Sequence, residues 1–109
     1  MTPVNFNMRS FATTSRGRRV RTLLAKHDIT AEQMMAEIYA MVIDDLPALV
    51  PEGRYLTQDL CGAVLWTRFR TNGVKRCAGM CLAYLVEIRV VPIEKSTAPR
   101  VYPLKFRLR

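Results

Sequence analysis

The feature that most constrains the fold is a long apolar stripe at helical spacing between residues 73 and 88. Apolar residues recur there three or four positions apart, and they are Val74, Cys77, Ala78, Cys81, Leu82, Leu85, Val86 and Ile88. A helix with so wide an apolar side is well suited to burial against other elements. Thr71-Asn72-Gly73, directly before it, is a turn signature in which Thr71 or Asn72 can cap the helix. The sequence therefore predicts a buried helix that begins straight after a tight turn.

Two further helices are predicted upstream of this one. Thr30 to Gln33 form a capping box ahead of a helix that we expect to end near Leu46, because the following proline disfavours helical backbone in the residue before it. Residues 47–56 are predicted to be a loop. Thr57 is the predicted N-cap of a second helix. Gly62 indicates that this helix ends early.

The C-terminal residues predict a β-hairpin. Residues 90–93 are predicted to form a short strand and residues 94–99 a polar loop. Residues 101–108 alternate between apolar side chains and basic or proline side chains, which is typical of a half-buried strand with a basic outer face. Pro103 within that strand indicates an edge position in the sheet, because proline cannot donate a ladder hydrogen bond.

The first 27 residues are predicted to be a basic arm that is partly flexible. Residues 1–15 show no periodicity, so we expect them to be flexible, with an aromatic side chain as the only anchor. Residues 16–26 predict a short basic helix with Val20, Leu23 and Leu24 on one side. An organelle transit peptide has a similar arginine-containing, acid-free composition and is the alternative interpretation of this segment.

The charge of the chain is large and unevenly distributed. The formal net charge is +8, and residues 1–27 carry six basic residues and no acidic one. Residues 28–67 carry seven acidic residues and one base, whereas residues 68–109 carry ten bases and two acids. Such a balance predicts a polyanionic partner, and the segregation fits a protein with one face towards phosphate and another away from it.

The three cysteines predict buried, reduced thiols. An odd number of cysteines with no paired framework argues against a disulfide scaffold and favours a reducing cytosol. Cys77 and Cys81 share one helix side, but a zinc site would need two more ligands and His27 is the only histidine. We therefore expect neither a metal nor a cofactor. No apolar run approaches the roughly 18 residues that a membrane span needs.

The succession of helix, loop, helix, short turn, helix and β-hairpin resembles the winged helix-turn-helix family. The resemblance is carried by residues 55–60, 72–86 and 91–93, with helix 30–46 as the first helix. It implies a mainly α protein of the α+β class over residues 28–109, with a three-helix core and the C-terminal hairpin as the wing. It also implies a sequence-specific DNA-binding regulator of transcription, of the kind found in phages and other mobile elements, with helix 73–88 as the recognition helix.

The residues expected to contact DNA lie on the elements that this family presents to the double helix. They are Arg68, Arg70, Asn72, Lys75, Arg76, Gly79, Met80, Lys95, Arg100, Lys105 and Arg107, with Arg16, Arg18, Arg19 and Arg21 from the arm. Arg76 is expected to bind a guanine edge, whereas the basic residues of the hairpin suit phosphate or minor-groove contacts. Gly79 either lets the helix lie close to DNA or permits close helix packing.

Two other functions remain open besides DNA binding. A winged-helix protein-interaction module, such as an adaptor or an inhibitor of a host nucleic-acid-processing complex, is the first alternative, since an exposed Met80 and Tyr84 would suit a protein partner. RNA or ribosome association through the basic ends is the second. An enzyme is not expected, because His27 has no nearby nucleophile and no phosphate-binding glycine-rich loop is present. The expected partner is double-stranded DNA, and no membrane partner is expected. The expected location is the cytoplasm, in association with the nucleoid. The expected oligomeric state is a homodimer formed through helix 30–46 or the arm.

Overall fold

The chain is a mainly helical α+β protein, as the sequence predicts. A computed structural model describes residues 6–69, 71–97 and 105–109. The helices are α1 (Met8–Thr13), α2 (Ser15–Ala25), α3 (Ala31–Asp45), α4 (Thr57–Cys61), α5 (Ala63–Arg68) and α6 (Asn72–Glu87), with a 3-10 turn over Leu46–Ala48. The strands are β1 (Tyr55–Leu56), β2 (Ile93–Lys95) and β3 (Lys105–Leu108). No helix in the described ranges combines the length and the apolarity needed to cross a lipid bilayer.

The helix that was predicted between Thr30 and Leu46 is confirmed as α3. The Thr30 hydroxyl accepts a hydrogen bond from the Gln33 N–H at 3.0 Å, and the Gln33 side chain accepts one from the Thr30 N–H at 2.9 Å. These two bonds satisfy backbone donors that have no partner inside the helix. The helix ends one residue before the predicted Leu46, where the 3-10 turn with its proline begins.

The predicted helix 73–88 is confirmed as α6. The Thr71 hydroxyl accepts a hydrogen bond from the Val74 N–H at 3.2 Å, so Thr71 is the N-cap. The apolar stripe from Val74 to Leu85 is buried, and α6 packs against α3, α2, α4 and β2. Because α6 contacts so many elements, it is the central helix of the core.

The second predicted helix is divided into α4 and α5 by Gly62. Its backbone φ of +78° lies in the left-handed region that favours glycine, which confirms the predicted early end. The predicted N-cap is wrong, because Thr57 is already the first residue of α4. The Asp59 carboxylate accepts a hydrogen bond from the Leu56 N–H at 2.8 Å, so the cap lies one residue earlier in the chain.

The hairpin of β2 and β3 is confirmed, and a third strand joins it. The antiparallel sheet has the order β1-β3-β2, with Phe106 paired to Tyr55 on one side and to Lys95 on the other. The predicted edge position of the last strand is therefore wrong for its described part, because β3 lies in the middle. Residues 101–104 of that predicted strand, including Pro103, lie outside the described residues.

Two strand predictions need correction in their position along the chain. Strand β2 begins at Ile93, later than the predicted strand 90–93, and extends into the predicted loop 94–99. Strand β1 lies inside the predicted loop 47–56. It consists of two residues only, which is too short to show an alternating pattern in the sequence.

The N-terminal helices are part of the hydrophobic core. The predicted basic helix is confirmed as α2, whose Val20 and Leu24 are fully buried. The expected flexibility of residues 1–15 is wrong for residues 8–13, since these form α1 and bury Phe11 to 1% exposure. A Cβ at Gly17 would collide with the carbonyl group of Phe11, so glycine allows α1 and α2 to approach each other closely.

The three thiols are buried and free, which confirms that prediction. Burial raises the pKa of Cys61 from 9.0 to about 12, and the nearby Asp45 carboxylate raises it further. Burial also raises the pKa of Cys81 and Cys77, and Cys81 lies close enough to the other two thiols for them to add to its shift. Within residues 6–69, 71–97 and 105–109, no group of His, Cys, Asp or Glu side chains is arranged to hold a metal ion.

We expect the free energy of unfolding to fall as the pH rises from about 9 towards 12. The unfolded chain releases the Cys61 proton near pH 9.0, whereas the folded chain holds it to about 12. The stabilising contribution of this thiol is therefore complete below pH 9 and is lost above it. Urea unfolding of the wild type and of Cys61→Ala, at neutral pH and at a pH of about 10.5, measures the effect. The variant should lose less stability between the two conditions, and an equal loss in both proteins would contradict the assignment.

Candidate nucleic-acid interface

The predicted contact residues of α6 share one side of its N-terminal half. Asn72 and Arg76 are exposed, and Lys75, Gly79 and Met80 are half-buried. The opposite side of the same turns is fixed in the core by the buried apolar stripe. Because a helix repeats every 3.6 residues, burying that stripe turns these five residues outward as a set.

Arg76 and Lys75 differ in how tightly they are held. The Lys75 ammonium lies 5.5 Å from the centroid of the Trp66 indole ring, which is a cation–π distance. Trp66 itself is half-buried and packs edge-on against Phe69 at 5.9 Å, so it anchors Lys75 to the core. Arg76 has no acidic partner among the described residues. Its guanidinium is therefore available to an anion or to a base edge.

Gly79 lies where α6 faces the start of α4. A Cβ added at Gly79 would lie 3.8 Å from the Thr57 hydroxyl oxygen, which is ordinary van der Waals contact. Close helix packing therefore does not require glycine at this position. The missing side chain at Gly79 is compatible with close approach of a ligand to the backbone of α6.

Helix α2 lies beside the exposed side of α6 and forms a groove with it. This groove of about 830 Å³ is lined by Ser15, Arg16 and Arg19 from α2 and by Arg76 and Met80 from α6. The structure thus brings two of the four predicted arm arginines to the predicted recognition helix. The other two point elsewhere: Arg18 donates to the Thr13 carbonyl at 3.2 Å and Arg21 lies 3.6 Å from Glu32.

An ion-pair network ties the far end of this groove to the sheet. The Glu87 carboxylate, at the end of α6, lies 2.8 Å from the Arg16 guanidinium and 3.7 Å from the Lys95 ammonium. It therefore joins α2, α6 and β2. Glu87 and Ser15 are not among the predicted site residues. The Arg16–Glu87 pair spans 71 positions of the chain, so no local pattern signals it.

The expected exposure of Tyr84 is wrong. Tyr84 is 7% exposed, its ring lies 4.7 Å from that of Phe11, and its hydroxyl donates to the Asn7 carbonyl at 3.1 Å. Helix α1 covers this side of α6, which was predicted to face solvent. Only the N-terminal half of α6 therefore remains as a candidate contact surface.

The described basic residues of the hairpin lie on two different faces of the sheet, and only Lys95 lies towards α6. Side chains alternate along a strand, so Lys105 and Arg107 lie on the face of the sheet opposite to the buried Phe106. Arg107 forms an ion pair of 3.1 Å with Glu94 on that outer face. Lys95, by contrast, reaches Glu87 of α6. No ion pair or side-chain hydrogen bond among the described residues links Lys105 or Arg107 to the groove.

Three further basic residues were predicted to contact DNA. Arg70 and Arg100 lie outside the described residues. Arg68, at the end of α5, is 3.6 Å from Glu37 of α3 and mostly exposed. Exposed ion pairs of this kind contribute little to stability, about 0–1 kcal/mol, so a competing phosphate can replace the carboxylate.

Comparison with known proteins adds no relative to this description. The chain matches no protein-family model, no curated protein and no solved structure.

Proposed function

We propose that the chain is a winged helix-turn-helix protein that binds double-stranded DNA, reads its sequence with α6 and thereby regulates transcription. The order of the described elements supports this proposal: α3, then α4 and α5, then α6, then the hairpin of β2 and β3. Three residues separate α5 from α6, which is the spacing of a helix-turn-helix. The N-terminal helices α1 and α2 are additions to that arrangement.

The observation that carries the proposal is the exposed guanidinium of Arg76 in the first turns of α6, which forms no ion pair with any residue that the structure describes. The N-terminal residues of a recognition helix are the ones that reach base edges in the major groove. An arginine there can donate two hydrogen bonds to O6 and N7 of one guanine, which is the commonest specific contact. Asn72, one turn earlier on the same side, is exposed and can bond an adenine edge or a phosphate.

The charge of the chain supports the same partner. A net charge of +8 on 109 residues favours a polyanion, and neutralising phosphates releases counterions from the duplex. The alternative of a protein-interaction module depended on an exposed Met80 and Tyr84 together. Since Tyr84 is buried under α1 and Met80 lies between arginines, DNA is the better match for this surface.

A homodimer belongs to the proposal. A single module of this size buries little interface with DNA, whereas two half-sites supply higher specificity. The outer side of α3 offers a candidate dimer surface, since Ile43 is 37% exposed there and Ala40 one turn earlier is exposed as well.

Titration with labelled nucleic acids tests the proposal. We expect the chain to bind duplex DNA more tightly than single-stranded RNA of the same length, measured by fluorescence anisotropy. Between about 50 and 200 mM salt, the affinity for the duplex should fall by at least about tenfold, because several phosphate contacts are lost. Tighter binding of the RNA would favour RNA association instead. An absence of binding to the duplex at both salt concentrations would overturn the proposal.

A further inference from the structure

The groove between α2 and α6 brings together two arginines that have no acidic partner in the described ranges of the chain. Arg19 of α2 and Arg76 of α6 both line it, and neither forms an ion pair within the described part of the chain. Their neighbour Arg16 differs, because Glu87 holds its guanidinium at 2.8 Å. The groove thus carries two uncompensated positive charges contributed by two separate helices.

Such an arrangement favours an anion in the groove. Like charges that line one concave surface repel each other, and a bound anion replaces that repulsion with attraction to both groups. A guanidinium binds phosphate oxygens through two parallel hydrogen bonds, which suits it better to phosphate than to a halide ion. The other lining side chains are a hydroxyl, from Ser15, and the apolar thioether of Met80.

We propose that this groove holds one strand of the DNA sugar-phosphate backbone, so that α2 and α6 bind the same strand from two sides. Arg19 and the Ser15 hydroxyl bind a phosphate, and Met80 contacts the adjoining deoxyribose, while Arg76 lies at the border between the backbone and the bases. The inference rests on the proposed function and adds to it: the N-terminal helix α2 is half of the backbone site and not a separate tail.

The test compares Arg19→Ala with Lys26→Ala. Both residues are exposed on or beside α2 and both substitutions remove one positive charge, but Lys26 does not line the groove. We expect Arg19→Ala to weaken binding of a duplex about fivefold and to reduce the slope of log affinity against log salt by about 1, as the loss of one phosphate contact does. Lys26→Ala should stay within about twofold of the wild type.

A double-mutant cycle makes the test sharper. If Arg19 and Arg76 contact the same short segment of the duplex, Arg19 at a phosphate and Arg76 at the adjoining base, Arg19→Ala combined with Arg76→Ala should cost less affinity than the product of the two single losses. Thermal unfolding of each variant, which should match the wild type because both side chains are exposed, verifies that folding is intact. Inorganic phosphate is tested without the duplex, by its effect on the thermal unfolding of the wild type and of Arg19→Ala.

The outcomes separate this inference from the proposed function. Equal effects of Arg19→Ala and Lys26→Ala, in a wild type that binds DNA, would overturn the groove as a backbone site while leaving the function intact. A duplex affinity that is unchanged in Arg19→Ala, together with a thermal stabilisation by inorganic phosphate that depends on Arg19, would also overturn it, in favour of a site for the free ion. A wild type that binds no duplex would instead contradict the proposed function itself.

Discussion

Replacing Phe11 with alanine is expected to lower the free energy of unfolding by about 3–5 kcal/mol. The ring is 1% exposed, lies 4.7 Å from the Tyr84 ring and fills the space between α1 and α6. Its removal leaves a cavity under α1, because neighbouring helices relax only in part. A domain of this length has a total stability of roughly 5–15 kcal/mol, so the variant should lose a large share of it.

Phe6→Ala is the matched control for Phe11→Ala. Phe6 lies in the same N-terminal segment, but it is only half-buried and contacts the edge of Tyr39 at a centroid distance of 5.4 Å. We expect its loss to cost less than about 2 kcal/mol, since part of the ring already faces water. Urea unfolding followed by circular dichroism measures both variants. A Phe11→Ala variant as stable as Phe6→Ala would mean that α1 is not docked on α6 in solution.

Replacing Arg76 with alanine is expected to reduce discrimination between DNA sequences by about 1–3 kcal/mol, or roughly 5- to 150-fold. The preferred duplex is first selected from a randomised pool with the wild-type chain. The affinity of the variant is then measured for that duplex and for duplexes with one substituted base pair. The loss should be concentrated at one position of the site, because a bidentate contact to guanine cannot be made with another base pair.

Arg107→Ala is the matched control for Arg76→Ala. It removes the same guanidinium group, but Arg107 lies on the outer face of the sheet and pairs with Glu94 at 3.1 Å. We expect this variant to weaken all duplexes equally, and by less than Arg76→Ala weakens the preferred one. Equal and small effects of the two substitutions on every duplex would count against base reading by α6.

The two longest helices could be predicted from the sequence because their signals are local. The caps of α3 and α6 consist of Thr30 and Thr71 with backbone groups three residues away. The apolar stripes that follow are long enough to show their period. Both helices therefore lie within one residue of the predicted limits.

The shorter elements could not be predicted because their formation depends on distant residues. Helix α1 has six residues and one buried anchor, so it shows no period, and its stability comes from contact with Tyr84. Strand β1 exists because Tyr55, in the middle of the chain, pairs with Phe106 near residue 109. The same pairing makes β3 a central strand, and a pattern within one strand cannot reveal how many neighbours it has.

The candidate site was predicted in part for the same reason. Helical periodicity identified the outward residues of α6, among them Arg76. It could not indicate that α2 docks beside them, or that α1 covers Tyr84, since both follow from how separate helices pack. The groove with Arg19 is thus a product of tertiary structure, and the sequence alone presented its arginines as a separate arm.

Chemical-shift mapping of backbone amides during titration with duplex DNA tests the central claim most directly. The account predicts the largest changes at residues 72–80 of α6 and at residues 15–19 of α2, with little change along α3. Changes confined to the outer face of the sheet or to α3, with residues 72–80 unaffected, would contradict it.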